Sequence, residues 1–299
     1  MTGRSSPQGG RLRQDMFSVF VIAKHEFIYN LFSLRMLIML FLLTLAVLGG
    51  AYGLSYIIVH EKQDALNINI KDANDVIGGM SAFISYIGSL MAIVFGFDSI
   101  TREQTQGSMD FLLTRPVSRR GILLGKFLGI TLSIAVPTTL VLAIGVCMVS
   151  YMVGVPDTTV IVAIFVLTVL FIGTFISFQQ IFSTLSRNMV EALITGITLY
   201  LTYTMFWMLF PLGCGYILGV DISSNPATAE AARQKDTLVD IYSLFNPNAA
   251  YQGALSGIID PSYVHGMHYL TPSLAMVLWF IVTLVINIEI FNMKIQESV

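Results

Sequence analysis

Apolar residues gather into six long runs separated by short polar stretches. The runs fall near 36–59, 80–97, 127–153, 160–185, 191–219 and 272–293. A helix rises about 1.5 Å per residue and the hydrocarbon core of a bilayer is about 30 Å thick, so runs of this length match membrane-crossing helices. The second run is short and is expected to begin a turn earlier, near Val76. The fifth carries Pro211 followed by Gly213, Gly215 and Gly219, which predicts a kink or break at that point. The predicted fold class is an all-α polytopic membrane protein with six transmembrane helices.

Composition sharpens this reading. Hydrophobic residues make up 55% of the chain and charged residues 11%. A soluble domain carries about 25% charge, because water must solvate its surface. The net charge of -2, with no basic block longer than Arg119-Arg120, gives no sign of a nucleic-acid partner. The chain has two cysteines, Cys147 and Cys214, both in apolar runs; that count excludes a disulfide framework and a CxxC metal site.

Lys and Arg resist translocation, and their distribution predicts the orientation. With the N-terminus inside, the inner side carries Arg4, Arg11, Arg13, Lys24, Arg35, Arg102, Arg115, Arg119, Arg120, Lys126, Arg187 and Lys294. The outer side carries Lys62, Lys71, Arg233 and Lys235. Both termini are therefore expected on the cytoplasmic side.

Residues 1–15 are polar and read as a disordered cytoplasmic tail, followed by a single transmembrane domain over 16–299. Its first part, 16–35, has amphipathic periodicity. Phe20, Phe27, Leu31 and Leu34 share one face, and Asp15, Ser18, His25, Glu26 and Ser33 the other. This predicts an elbow helix lying on the inner leaflet and feeding the first span. The outer segment 220–271 holds Ile241, Tyr242, Leu244, Phe245, Tyr251 and Leu255 close together. It is expected to fold back onto the bundle as re-entrant or interfacial helices.

The inner loop 98–126, DSITREQTQGSMDFLLTRPVSRRGILLGK, reads as a short helix from about Ser99 to Leu113, ended by Pro116. Ser118 is placed to cap the next helix. The short helix offers Asp98, Arg102, Glu103 and Asp110 beside Met109, Leu112 and Leu113. It is tethered between two spans and so suits force transmission, although an ordinary connecting loop fits the same pattern.

Here the chain resembles a known family. Glu103, Gly107, Leu112-Leu113, Pro116, Ser118-Arg119 and Leu123-Leu124-Gly125-Lys126 look like the loop motif in membrane subunits of type-2 ABC exporters. Phe245-Asn246-Pro247 is similar to that family's outer Asn-Pro motif. Ser108-Met109 stands where the family usually has Thr after the Gly. Within the family, the likeness is to the permeases associated with nitrous oxide reductase maturation.

The resemblance implies a permease in a prokaryotic cell membrane, working as a homodimer or beside a related permease. Two cytoplasmic ABC ATPase subunits would bind ATP and Mg, leaving no cofactor in this chain. Residues 100–113 would be the coupling helix. Arg102, Glu103, Gly107, Met109, Leu112, Leu113, Pro116 and Arg119 would contact the ATPase, with a second contact near Arg187, Asn188 and Glu191.

The chain shows no enzyme signature of its own. Gly121 to Lys126 is one residue short of a phosphate-binding loop, and Phe127 replaces its Ser or Thr. Asp98, Lys126, Glu191 and Glu289 fall near span ends, whereas an ion-coupled carrier generally needs acids near the midplane. Gln179 and Gln180 are expected to make interhelical hydrogen bonds. His265, Met267 and His268 are possible copper ligands but too few to assign a metal site. Gly49/Gly53, Gly125/Gly129 and Gly215/Gly219 permit close helix approach. Three functions stay open: an ATP-driven exporter permease, an ATPase-coupled machine that moves lipid or relays force without free-solute transport, and an ATP-independent membrane scaffold or enzyme.

Overall fold

The protein is described by a computed structural model covering residues 8–60, 70–105, 119–207, 209–218, 229–263 and 268–297. Its helices are α1 (Gln8–Leu31), α2 (Leu34–Val59), α3 (Ala73–Gly96), α4 (Thr101–Thr105), α5 (Arg119–Met152) and α6 (Thr158–Leu185). They continue with α7 (Met189–Leu201), a π-turn (Thr202–Phe206), α8 (Leu209–Leu218), α9 (Ala229–Leu244), α10 (Pro247–Ile259) and α11 (Thr271–Glu297). Among the described residues no strand occurs.

Six helices are long and apolar enough to cross a membrane, and they correspond one-to-one with the six apolar runs. Their ends differ from the hydropathy boundaries where polar residues cap them. Asp72 accepts from the backbone N–H groups of Asn74 and Asp75, so α3 begins at Ala73, earlier than Val76. The third span starts at Arg119, well before 127, because its first turns are charged yet helical. It ends at Met152, just before Gly154, whose φ of +143° a side chain would strain.

The fifth span is irregular one turn before the expected place. Pro211 has no N–H for the carbonyl of Trp207 and its ring crowds that carbonyl. The disturbance therefore falls on the N-terminal side as the π-turn Thr202–Phe206, while Gly213 and Gly215 remain helical in α8.

The central spans are α3, α5 and α6, which are more than half buried, whereas α2, α7 and α11 lie at the periphery. The main apolar core joins Leu43 and Val47 of α2, Met80 and Ile84 of α3, Ile134 and Leu142 of α5, and Phe171 and Phe175 of α6. Polar groups inside it bond between helices, as expected for the glutamine pair. Gln179 donates to the Ala192 carbonyl at 2.9 Å, and Asn287 donates to Gln180 Oε1 at 2.9 Å.

The segment before the last span packs into this bundle through α10. Tyr251 is fully buried, stacks on Phe171 and bonds Thr168 Oγ1 at 2.9 Å. Leu255 is also buried, but Ile241 and Phe245 are exposed, so only part of the apolar patch in the sequence is spent on the bundle.

Helix α1 begins at Gln8, inside the stretch read as a disordered tail. Arg, Leu and Gln there are good helix formers that extend it. It stops at Leu31, and Ser33 caps α2 by accepting from Met36 N–H. Its apolar face is turned outward: Met16, Phe17 and Phe20 are exposed, with Phe20 at 66%. Ala23 and Asn30 are buried against the protein. Such an inverted face is stable only in apolar surroundings.

Candidate functional site

The loop 98–126 is anchored at both ends by a cluster of charged and polar groups. At its start, Asp98 follows the end of α3. Its carboxylate lies 3.4 Å from Arg35 of α2 and 3.3 Å from Arg102 of α4. Arg102 also donates to Tyr29 Oη at 2.9 Å and lies over the Tyr29 ring. Arg35 lies over the Phe97 ring. Cation–π contact of this kind adds to the ion pairs without needing a further carboxylate.

At its end, Lys126 of α5 is buried, with only 6% of its side chain exposed. Its ammonium contacts Glu26 Oε1 of α1 at 2.9 Å and Glu103 Oε1 of α4 at 2.7 Å. Asn30 donates to the Glu26 backbone carbonyl at 2.9 Å, which keeps that turn of α1 in place. The cluster encloses a cavity of about 190 Å³. A lone buried ammonium would be costly; two carboxylates offset its desolvation.

Glycines allow this pairing. A Cβ on Gly129 would lie 2.6 Å from the Ala23 carbonyl oxygen, and one on Gly125 2.8 Å from Ile22 Cβ. Backbone therefore meets backbone, and Lys126 between the two glycines faces Glu26 directly. Of the GxxxG pairs, Gly125/Gly129 is thus used within the chain, whereas Gly49 and Gly53 have nothing within 4 Å. The contacts also show that α1 and α5 run in the same direction here, since Val19 and Ile22 meet Gly125 while Ala23 and Glu26 meet Gly129.

A third anchor ties α4 to α6. Ser183 Oγ accepts from the N–H groups of Ile100 and Thr101, each at 3.0 Å, and Thr101 Oγ1 donates to the Ser183 carbonyl at 2.7 Å. The base of the loop is therefore fastened to α1, α2, α5 and α6 together.

Of the residues assigned to an ATPase contact, Arg102 and Glu103 direct their charges into this junction. Gly107, Met109, Leu112, Leu113 and Pro116 lie outside the described residues, as does the rest of the 100–113 helix beyond Thr105. Arg119 is the first residue of α5. Asn188 and Glu191 form a helix cap: Asn188 Oδ1 accepts from Glu191 N–H, and Glu191 accepts from Arg187 N–H. The Glu26 partnership was missed from the sequence, where Glu26 marked only a polar face.

The Asn-Pro motif also has a defined place. Asn246 caps α10 with Pro247 at its first position, and Asn246 Nδ2 donates to the Tyr203 carbonyl at 2.8 Å in the π-turn. Trp279 donates to the Leu244 carbonyl. Between α3, the π-turn and α10 lies an open cavity of about 570 Å³, lined by Tyr86, Tyr203, Trp207, Asn248 and Gln252 among others. Its described lining contains no charged side chain. Nearby, Ser262 donates to Asp260 from its hydroxyl and its backbone N–H, holding that exposed carboxyl below the usual range. His265 and Met267 lie outside the described residues, and His268 Nδ1 accepts from Leu270 N–H.

The profile of the ABC-2 family transporter proteins matches residues 20–294, which takes in the second half of α1, the six spans and the anchored loop. The chain belongs to the ABC-2 transporter family. It is a multi-pass membrane protein of that family. It is also similar to the probable ABC transporter permease protein NosY of Pseudomonas aeruginosa, at 34% identity over 62 residues. That match covers 21% of this chain and 22% of the relative.

Proposed function

We propose that this ABC-2 family member is the permease subunit of an ATP-driven exporter, moved by two cytoplasmic ABC ATPases that press on the loop 98–120. The observation that carries this reading is the convergence of α1, α4 and α5 on Lys126. A loop without a mechanical role needs no such anchor. Both termini lie in the cytoplasm, in keeping with the Lys and Arg asymmetry. α1 is the elbow helix, α10 re-enters the bundle from the outer side, and ATP and Mg bind only to the partner subunits. A second copy of the chain covers the exposed faces of α2 and α7, where Gly49 and Gly53 leave open backbone.

The test is co-purification. The full chain should retain a cognate ABC ATPase through size exclusion, and Thr105→Cys should react with an impermeant maleimide only after the cells are opened. Labelling of intact cells would overturn the orientation, and loss of the ATPase from the wild-type chain would overturn the subunit role.

A second reading is favoured by the solid packing of α3, α5 and α6. Buried Gln179, Gln180 and Thr168 of α6 each bond to a neighbouring helix. Force transmission or lipid handling without free-solute transport fits that core. Transport of solute would instead need a path between two copies.

A further inference from the structure

A groove of about 1020 Å³ runs between α1 and α5 on the side away from the bundle. One wall is the row Leu124, Leu128, Leu132 and Val136 of α5, spaced four residues apart on a single face. Arg120 heads the same row. The other wall is the outward face of α1, where Phe20 and Lys24 are likewise four apart. Both cations are exposed, and no carboxylate lies among the described residues lining the groove.

We propose that this groove holds one anionic phospholipid, its acyl chain along the α5 row and its phosphate between Lys24 and Arg120. Length supports a lipid of one leaflet. Leu124 to Val136 spans twelve residues, about 18 Å of helix. Half of a hydrocarbon core is about 15 Å. Charge supports an anionic headgroup. The Gly125 and Gly129 contacts put Lys24 near the level of Leu128, about two turns along the groove from Arg120; helical side chains lean toward the N-terminus, so Lys24 leans back toward the end that Arg120 heads. Glu26 and Glu103 are paired with Lys126. The inverted apolar face of α1 supplies the rest, since Phe20 is 66% exposed and needs an apolar neighbour.

The bound lipid would act as a resident wedge that seats α1 against α5, and this stands independently of any ATPase. The test is native mass spectrometry of the full chain in detergent, supplied with equal palmitoyl-oleoyl phosphatidylglycerol and phosphatidylcholine. Two basic side chains at a phosphate predict a phosphatidylglycerol preference of roughly tenfold to thirtyfold, at one lipid per chain. K24Q/R120Q should abolish the preference, and K24R/R120K should keep it. Leu132→Trp, which fills the groove, should lower retention of both lipids. Inorganic phosphate should not displace the lipid. Equal retention of the two lipids by the wild-type chain, or an undiminished preference in a monodisperse K24Q/R120Q, would overturn the proposal.

Discussion

Lys126 and Glu26 stand one hundred residues apart in the chain and 2.9 Å apart in space. The contact joins the helix that precedes the first span to the helix that follows the loop. Glu103, at 2.7 Å from the same ammonium, brings in the beginning of the loop.

The three groups are unequal, and their substitutions should differ. Lys126→Met takes away the cation that Glu26 and Glu103 share, a loss of about 3 kcal/mol or more. Glu103→Gln leaves Lys126 paired with Glu26 and should cost less. Thermal unfolding of the purified chain measures both, and equal shifts would show that Lys126 is not the hub.

Glycine substitutions should separate contacts within the chain from contacts outside it. Gly129→Val forces a side chain into the Ala23 backbone and should cost about 1–3 kcal/mol by overpacking. Gly53→Ala meets nothing within 4 Å and should leave the stability of the single chain unchanged. A change in self-association with Gly53→Ala, read by light scattering, would locate the second copy on α2.

Ser183→Ala removes the acceptor of two buried amides, Ile100 and Thr101. Leaving such groups unpaired costs about 1–3 kcal/mol. Hydrogen exchange at 100–101 should accelerate markedly while the α6 amides near Phe175 keep their protection. Unchanged exchange at 100–101 would mean that Ser183 does not anchor α4.

The spans were legible because a bilayer imposes a length threshold that apolar runs meet without reference to tertiary contacts. Their ends were not, because caps such as Asp72 and charged helical turns such as Arg119-Arg120 carry no hydropathy signal. Pro211 announced a break, yet steric crowding acts on the preceding turn, so the irregularity appears at Thr202–Phe206. The loop motif marks the stretch whose two ends meet at the charged junction. Its lysine gave no hint of burial, since Lys126 reads as an ordinary charge at a span end. Glu26 gave even less, because pairing across a hundred residues leaves no local pattern. The polar face of α1 was visible, but that it turns inward toward Lys126 depends on Gly125 and Gly129 admitting the helix.

The central claim is that the Lys126 junction carries motion between the loop and the spans. ATP turnover by the chain reconstituted with its ABC ATPase in liposomes tests it most directly, comparing wild type with Glu103→Gln and Lys126→Met. The expected result is that both variants still bind the ATPase but lose most of the turnover stimulated by the membrane subunit. Full stimulated turnover in a folded, ATPase-bound Lys126→Met complex would contradict it.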